Sequence, residues 1–146
     1  IMLPATRLRR GKHSEKEAEK RAKLLLEKMG ICELADRRIH EVSGGQLQRA
    51  CICRSLMNQP KILYADEPTG ALNQSASQEV MGEFCRLNRE GMTILMVTHD
   101  SKVAARCGRI LYLLDGRIQG ELVLAEMLYG KKREDRVGTW LAGMGW

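Results

Sequence analysis

The sequence predicts an α/β fold with a mostly parallel sheet flanked by helices. Two continuous apolar runs, Ile62–Ala65 and Met92–Val97, have strand length and show no alternation of polar and apolar residues. That is the pattern of strands buried on both faces of a parallel sheet. Between them Val80, Phe84 and Leu87 recur at helical spacing, so a helix separates the two strands.

At 146 residues the chain is about one domain in size. Hydrophobic residues make up 44%, too many for a disordered chain. The net charge of +6 permits an acidic partner or a membrane surface without requiring one. Aromatics are only 4%, which leaves few platforms for stacking bases, so no nucleic-acid partner is expected. The cysteines (Cys32, Cys51, Cys53, Cys85, Cys107) show no CxxC pair. Cys51 and Cys53 lie two apart, a poor metal pair on a helix, and the set reads as buried free thiols of a reducing cytosol. No apolar run reaches the ~20 residues of a membrane span and no signal peptide is visible, so a soluble chain is expected.

Residues 1–12 are irregular and basic. Ser14 and Glu17 have capping-box spacing, and Ala18, Ala22, Leu25 and Met29 follow at helical spacing up to Gly30, a suitable C′ residue. Lys16, Lys20 and Lys23 fall on the other side, a solvated face. Residues 31–39 read as a short helical turn and connector. Ser43 then stands at an N-cap position, with Leu47, Ala50, Cys51 and Met57 marking the next helix. Residues 70–73 form a turn before the helix that runs to about Asn88, and Gly91 breaks it. Past the second strand come a short helix over 102–108 and two strand-like runs flanking Asp115-Gly116, a two-residue hairpin signal. Residues 124–129 suggest a last helical turn or two, and 131–146 read as a weakly ordered tail or partner contact.

Three stretches carry chemistry. The first strand ends in Asp66-Glu67, placing two carboxylates at a strand's C-terminal end, where open α/β sheets bind ligands. An acidic pair that only opens a loop fits the same residues. Gly44 and Gly45 follow Ser43 at a helix start, where they serve no packing purpose in the sequence. Their use is close backbone approach by a phosphate to exposed N–H groups at the positive end of a helix. A Ser cap with a flexible loop is the ordinary alternative. His99 follows the second strand, at the same sheet edge as Glu67, and could equally be a satisfied polar cap.

Together these stretches resemble the ATP-binding-cassette (ABC) ATPases. Val42–Arg49 is similar to that family's signature motif, with Val where Leu is more usual. Ile62–Glu67 resembles the Walker B strand with its adjoining catalytic glutamate, Gly70-Ala71-Leu72-Asn73 resembles the D-loop, and His99 falls where the switch histidine belongs. The resemblance spans residues 2–121 and implies a partial P-loop NTPase fold with part of the helical subdomain. On it, residues 1–42 are a portion of the helical (signature) subdomain, 43–123 a portion of the RecA-like ATPase core and 124–146 a C-terminal tail. It implies ATP and Mg²⁺ as cofactors, with Asp66 holding the Mg²⁺ shell, Glu67 as general base and His99 on the γ-phosphate. Ser43, Gly44, Gly45 and Gln46 would contact ATP held by the opposite subunit, and Asn73 would lie in the D-loop along that interface. Implied partners are a second ABC ATPase subunit and a membrane-spanning permease subunit. The implied location is cytoplasmic, peripheral on the inner face of the cell membrane. Gly70, in the string Asp66-Glu67-Pro68-Thr69-Gly70, is similar to the lipoprotein-release and antimicrobial-peptide-export branch.

Departures from the family pattern shape the remaining expectations. Asn73 stands where the D-loop usually ends in Asp, and no GxxxxGK[S/T] occurs in the sequence. The chain is therefore expected to hold the C-terminal part of a cassette, beginning just past the Q-loop. Alone it is expected to bind ATP very weakly, not to hydrolyse it, and to expose apolar sheet edges. The function expected on the resemblance is the ATP-hydrolysing subunit of a membrane transporter. A non-transport ABC ATPase and a non-catalytic remnant or interaction module are the alternatives.

Overall fold

The computed structural model describes residues 15–124 and 130–146. Ser14, residues 1–12 and most of 124–129 lie outside them, so the first helix's capping box and the last helical turns are not described. Two compact units make up the chain, with the boundary between Met96 and Val97.

The first unit opens with α1 (Glu15–Lys28), which buries Ala18, Ala22, Leu25 and Leu26 and leaves Lys16, Lys20 and Lys23 in water. Its end follows from Gly30, which takes φ +61. The Gly30 N–H donates to Glu27 O and the Ile31 N–H to Leu26 O, closing orphan carbonyls, and Ile31 tucks fully inside. Two short 3-10 turns, Cys32–Leu34 and Ile39–Glu41, lead to α2 (Gly44–Leu56). Arg21 of α1 donates from Nε to Met57 O at 2.7 Å and from Nη2 to Leu56 O at 2.8 Å. It thereby satisfies carbonyls that the end of α2 would otherwise strand.

Strands β1 (Ile62–Asp66) and β2 (Thr93–Val97) pair in one sheet and are joined by α3 (Gln74–Arg89), giving the α/β parallel arrangement expected. The expectation of burial on both faces fails. Leu63 is 5% exposed, but Ile62 is 43%, Tyr64 71% and Leu95 52% exposed. One face of this sheet is closed and the other is open, so apolar residues on alternate positions meet solvent. Their composition suits a strand covered twice; among the described residues it is covered once.

Helix α3 buries Val80, Met81, Phe84 and Leu87. Near its end Arg86 bonds Glu83 at 2.6 Å and Glu90 at 2.7 Å and reaches Lys28 O at 3.3 Å. Burial works against the guanidinium's charge, but the two carboxylates outweigh it and hold its pKa above the ordinary value.

All five cysteines are free, yet the expected uniform burial does not hold: Cys32 and Cys51 are exposed and Cys53 is buried. The Cys53 thiol donates to Leu25 O at 3.3 Å, and burial pushes its pKa up from 9.0 to about 11. Because the folded value is raised, this thiol's contribution to stability is whole below pH 9.0 and is lost as pH climbs through about 11. Iodoacetamide at pH 8 is expected to modify Cys32 and Cys51 within minutes and to spare Cys53 until the chain unfolds. Peptide mass mapping reads this, and early labelling of Cys53 would show the α1–α2 seam to be open.

In the second unit, α4 (Ser101–Ala104) precedes an antiparallel hairpin of β3 (Arg109–Leu114) and β4 (Arg117–Val123). Asp115 and Gly116 take φ 51 and 72, the conformation a two-residue turn demands. The reading of 131–146 as a weakly ordered tail is overturned by α5 (Lys131–Gly143). Its Val137 and Leu141 join Ala105, Leu122 and Leu124 in a core, with Tyr112 and Trp140 packed against it. Gly120 explains how α5 fits: a Cβ there would lie 2.9 Å from Met144 Sδ and 3.1 Å from Trp140 Cζ2. Glycine at 138 and 143 hid a helix whose apolar stripe is only a few residues long.

Candidate functional site

Four of the predicted site residues open α2. Ser43 is the N-cap, in extended backbone, and its Oγ accepts the Gln46 N–H at 3.3 Å. Gln46 returns the bond, its Oε1 accepting the Ser43 N–H at 2.9 Å. This reciprocal box fixes both side chains at the helix start. The first-turn N–H groups of Gly44 and Gly45 have no helical acceptor, so the turn offers donors at a positive helix end.

The glycines do have a packing purpose, contrary to the sequence-based expectation. A Cβ at Gly44 would stand 3.0 Å from Leu72 Cδ2, and one at Gly45 would stand 3.0 Å from Ala76 Cβ. Helix α2 thus begins hard against the start of α3. No sequence signal marked this, because both neighbours lie some thirty residues further on.

Asn73 is the N-cap of α3: its Oδ1 accepts the Ala76 N–H at 2.9 Å. Asn and Asp cap about equally well, so the departure at this position keeps the cap while removing a charge. The signature turn and the Asn73 turn are therefore neighbours, one glycine contact apart.

Asp66 ends β1 with its side chain exposed, and Glu67 follows half-buried. Glu67 takes φ 43, a left-handed conformation unusual for a residue with a side chain. The turn beyond it is pinned by Gly70 N–H to Glu67 O at 3.2 Å and Leu72 N–H to Thr69 O at 3.0 Å. Pro68 and Thr69 are buried beneath it. At Gly70 a Cβ would find its nearest neighbour, Glu67 Cβ, at an ordinary 3.6 Å. A serine there fits equally well.

His99 belongs to the second unit, two residues past β2, and is exposed. The loop that carries it is held on both sides. Thr98 Oγ1 accepts the Asp100 N–H at 3.1 Å, and Asp100 Oδ1 accepts the Lys102 N–H at 2.7 Å, capping α4. Ser43–Gln46, Asp66, Glu67 and Asn73 all lie in the first unit.

This arrangement suits a nucleoside triphosphate. Helix-start amide N–H groups donate to phosphate oxygens. A single exposed carboxylate is the donor set Mg²⁺ takes when water and phosphate supply its other ligands. A second carboxylate beside it, on a strained turn, can accept a proton.

Comparison with known proteins agrees. The sequence profile of the family described as ABC transporter matches residues 2–70. The uncharacterized ABC transporter ATP-binding protein YknY of Bacillus subtilis is 49% identical over 107 residues, 71% of this chain and 45% of that protein. The macrolide export ATP-binding/permease protein MacB of Syntrophobacter fumaroxidans is 44% identical over 122 residues, 83% of this chain and 17% of that one. The dimeric ATP-binding cassette MJ0796, solved bound to ADP and Pi, superposes with a TM-score of 0.69 at 39% identity, covering 87% of this chain and 56% of its own. The chain spans about half the length of YknY and of the similar protein YvrO. Ordered motifs, paired helix starts and these likenesses lead to one assignment: the chain belongs to the ABC transporter family and carries residues of its ATPase domain.

Proposed function

We propose that this chain serves in the ATP-binding and ATP-hydrolysing part of an ABC transporter of the export type. The observation that carries the reading is the pairing of the signature turn with the Asn73 turn. Both helix starts sit side by side in the first unit, so close that a Cβ added at Gly45 would stand 3.0 Å from Ala76 Cβ. Such a surface suits the γ-phosphate of ATP held by a second ABC subunit, with Ser43, Gly44, Gly45 and Gln46 as donors and Asn73 beside them.

Asp66 would hold Mg²⁺, whose charge neutralises the phosphate oxygens. In the family's division of roles Glu67 would take the proton of the attacking water and His99 would donate a hydrogen bond to the γ-phosphate. Relatives named as joined ATP-binding/permease proteins, and the dimeric state of the MJ0796 cassette, support a permease and a second ATPase subunit as partners. With those partners the chain would work at the cytoplasmic face of a membrane. No helix among the described residues is long and apolar enough to cross one. The macrolide exporters among the relatives, and the Gly70 string, favour the export branch.

The test is association with a complete ABC cassette that carries its own P-loop. With ATP and Mg²⁺ the chain is expected to be captured, and with ADP it is expected to be released at least tenfold more readily. Equal capture in both nucleotides, or none in either, would sink the reading.

A further inference from the structure

We propose that Arg49 is a positioning residue that, through Glu79, locks the signature turn to the Asn73 turn so that the two move as one body. What that body touches rests on the function proposed above; its rigidity does not.

The two helices carry the pair at matching places. Arg49 lies six residues past the N-cap Ser43 and Glu79 six past the N-cap Asn73. Arg49 Nη1 meets Glu79 Oε2 at 2.5 Å. On α2, Gly45 and Arg49 are four apart; on α3, Ala76 and Glu79 are three apart. Residues at those spacings share a helix face. The contacts Gly44–Leu72, Gly45–Ala76 and Arg49–Glu79 therefore form one seam running back from the two helix starts.

Burial of the arginine separates this pair from an ordinary surface bridge, although the Glu79 side chain stays 54% exposed. The Arg49 side chain is only 17% exposed, and its Nε is buried with no hydrogen-bond partner among the described residues. A guanidinium serving only solubility would stay in water and satisfy that N–H. Drawing it into the seam costs a desolvated donor, and Glu79 is the anion that holds it there. Removing the anion leaves a mostly buried guanidinium without its partner. That weakens the seam more than loss of a pair exposed on both sides would, though solvent at the half-exposed Glu79 screens part of the effect. Ahead of the ion pair the approach of Gly45 to Ala76 leaves no room even for a methyl group. Displacing the signature turn must then displace the Asn73 turn, and a ligand that orders either one orders both.

Amide hydrogen exchange on this chain tests the coupling. The reporters are Gln46 and Leu47 in α2 and Ala76 and Ser77 in α3, whose N–H groups are bonded to their respective caps. In Glu79→Gln, which keeps the side chain's shape, and in Arg49→Met, all four are expected to exchange about tenfold faster. Amides at Met29 and Ile31, at the end of α1, are expected to stay put. The swapped pair, Arg49→Glu with Glu79→Arg, is expected to return all four to within about threefold of the parent. Faster exchange in one helix only, no change at all, or a swap that restores nothing would each overturn the proposal. ATP-dependent capture by a complete cassette, measured on the same variants, should weaken in Glu79→Gln and recover in the swap. If the parent chain is not captured, the functional reading fails, and the exchange data still decide the coupling.

Discussion

Glu67→Gln is expected to slow ATP hydrolysis by about 10²–10⁴-fold, the span that a positioned general base contributes. The assay supplies the P-loop on a second polypeptide and follows phosphate release in a single turnover. The amide keeps the shape and the half-buried position of Glu67 but does not take up the water's proton. ATP-dependent association with the partner should survive, because the donors proposed for it are Ser43–Gln46. Backbone strain gives a second handle on the same residue. Glu67 holds φ 43, which costs a side-chain-bearing residue about 1–2 kcal/mol. Glu67→Gly should relieve that strain and stabilise the first unit by about 1 kcal/mol while hydrolysis is lost. A stabilised, inactive Gly variant beside an unchanged, inactive Gln variant would mean the strain is maintained for the chemistry. Full activity in Glu67→Gln would remove Glu67 from the mechanism.

Gly45→Ala is expected to destabilise the first unit by about 1–3 kcal/mol, the usual cost of overpacking, although alanine is the better helix former. The added methyl would stand 3.0 Å from Ala76 Cβ, an atom fixed to the backbone of α3. Neither helix start can yield without moving the other. Gly44→Ala provides the contrast. Its methyl meets Leu72 Cδ2, the far end of a side chain that can rotate away, so the change should be within about 1 kcal/mol of neutral. Urea denaturation followed by far-UV circular dichroism separates the two. Equal midpoints would mean that the seam between α2 and α3 is loose enough to take in a methyl group at Gly45.

What could be read from the sequence was local, and what escaped it was mostly long-range. Ser43 and Gly30 declare helix ends through chemistry within three or four residues, and Asp115-Gly116 declares a turn, so caps and hairpin stand as expected. Glycines 44 and 45 were legible as an exposed helix start but not as a packing surface, because their partners, Leu72 and Ala76, sit across a strand and a turn. The Asn73 cap had a local signal that was passed over: an Asn immediately before a helix. Burial of β1 was misjudged because apolar composition reports what a strand is suited to face. Tyr64 and Leu95 show that suitability and actual cover can differ. Helix α5 was missed for want of a long apolar stripe, although Val137, Trp140 and Leu141 already hold the spacing of one face.

The placement of the tryptophans determines how this chain can be watched. Both of them, Trp140 and Trp146, lie in the second unit, and Trp140 packs edge-on against Tyr112 with ring centroids 6.4 Å apart. Its emission therefore reports the seating of α5 on the hairpin and, by transfer from Tyr112, the integrity of that pair. The signature turn, the carboxylate pair and the Asn73 turn carry no such chromophore. A melting curve recorded at the indole wavelength is thus a curve for the second unit, and agreement with a backbone signal has to be demonstrated before one midpoint is assigned to the whole chain. A variant of Gly45 could lose its first unit and leave the fluorescence trace unmoved.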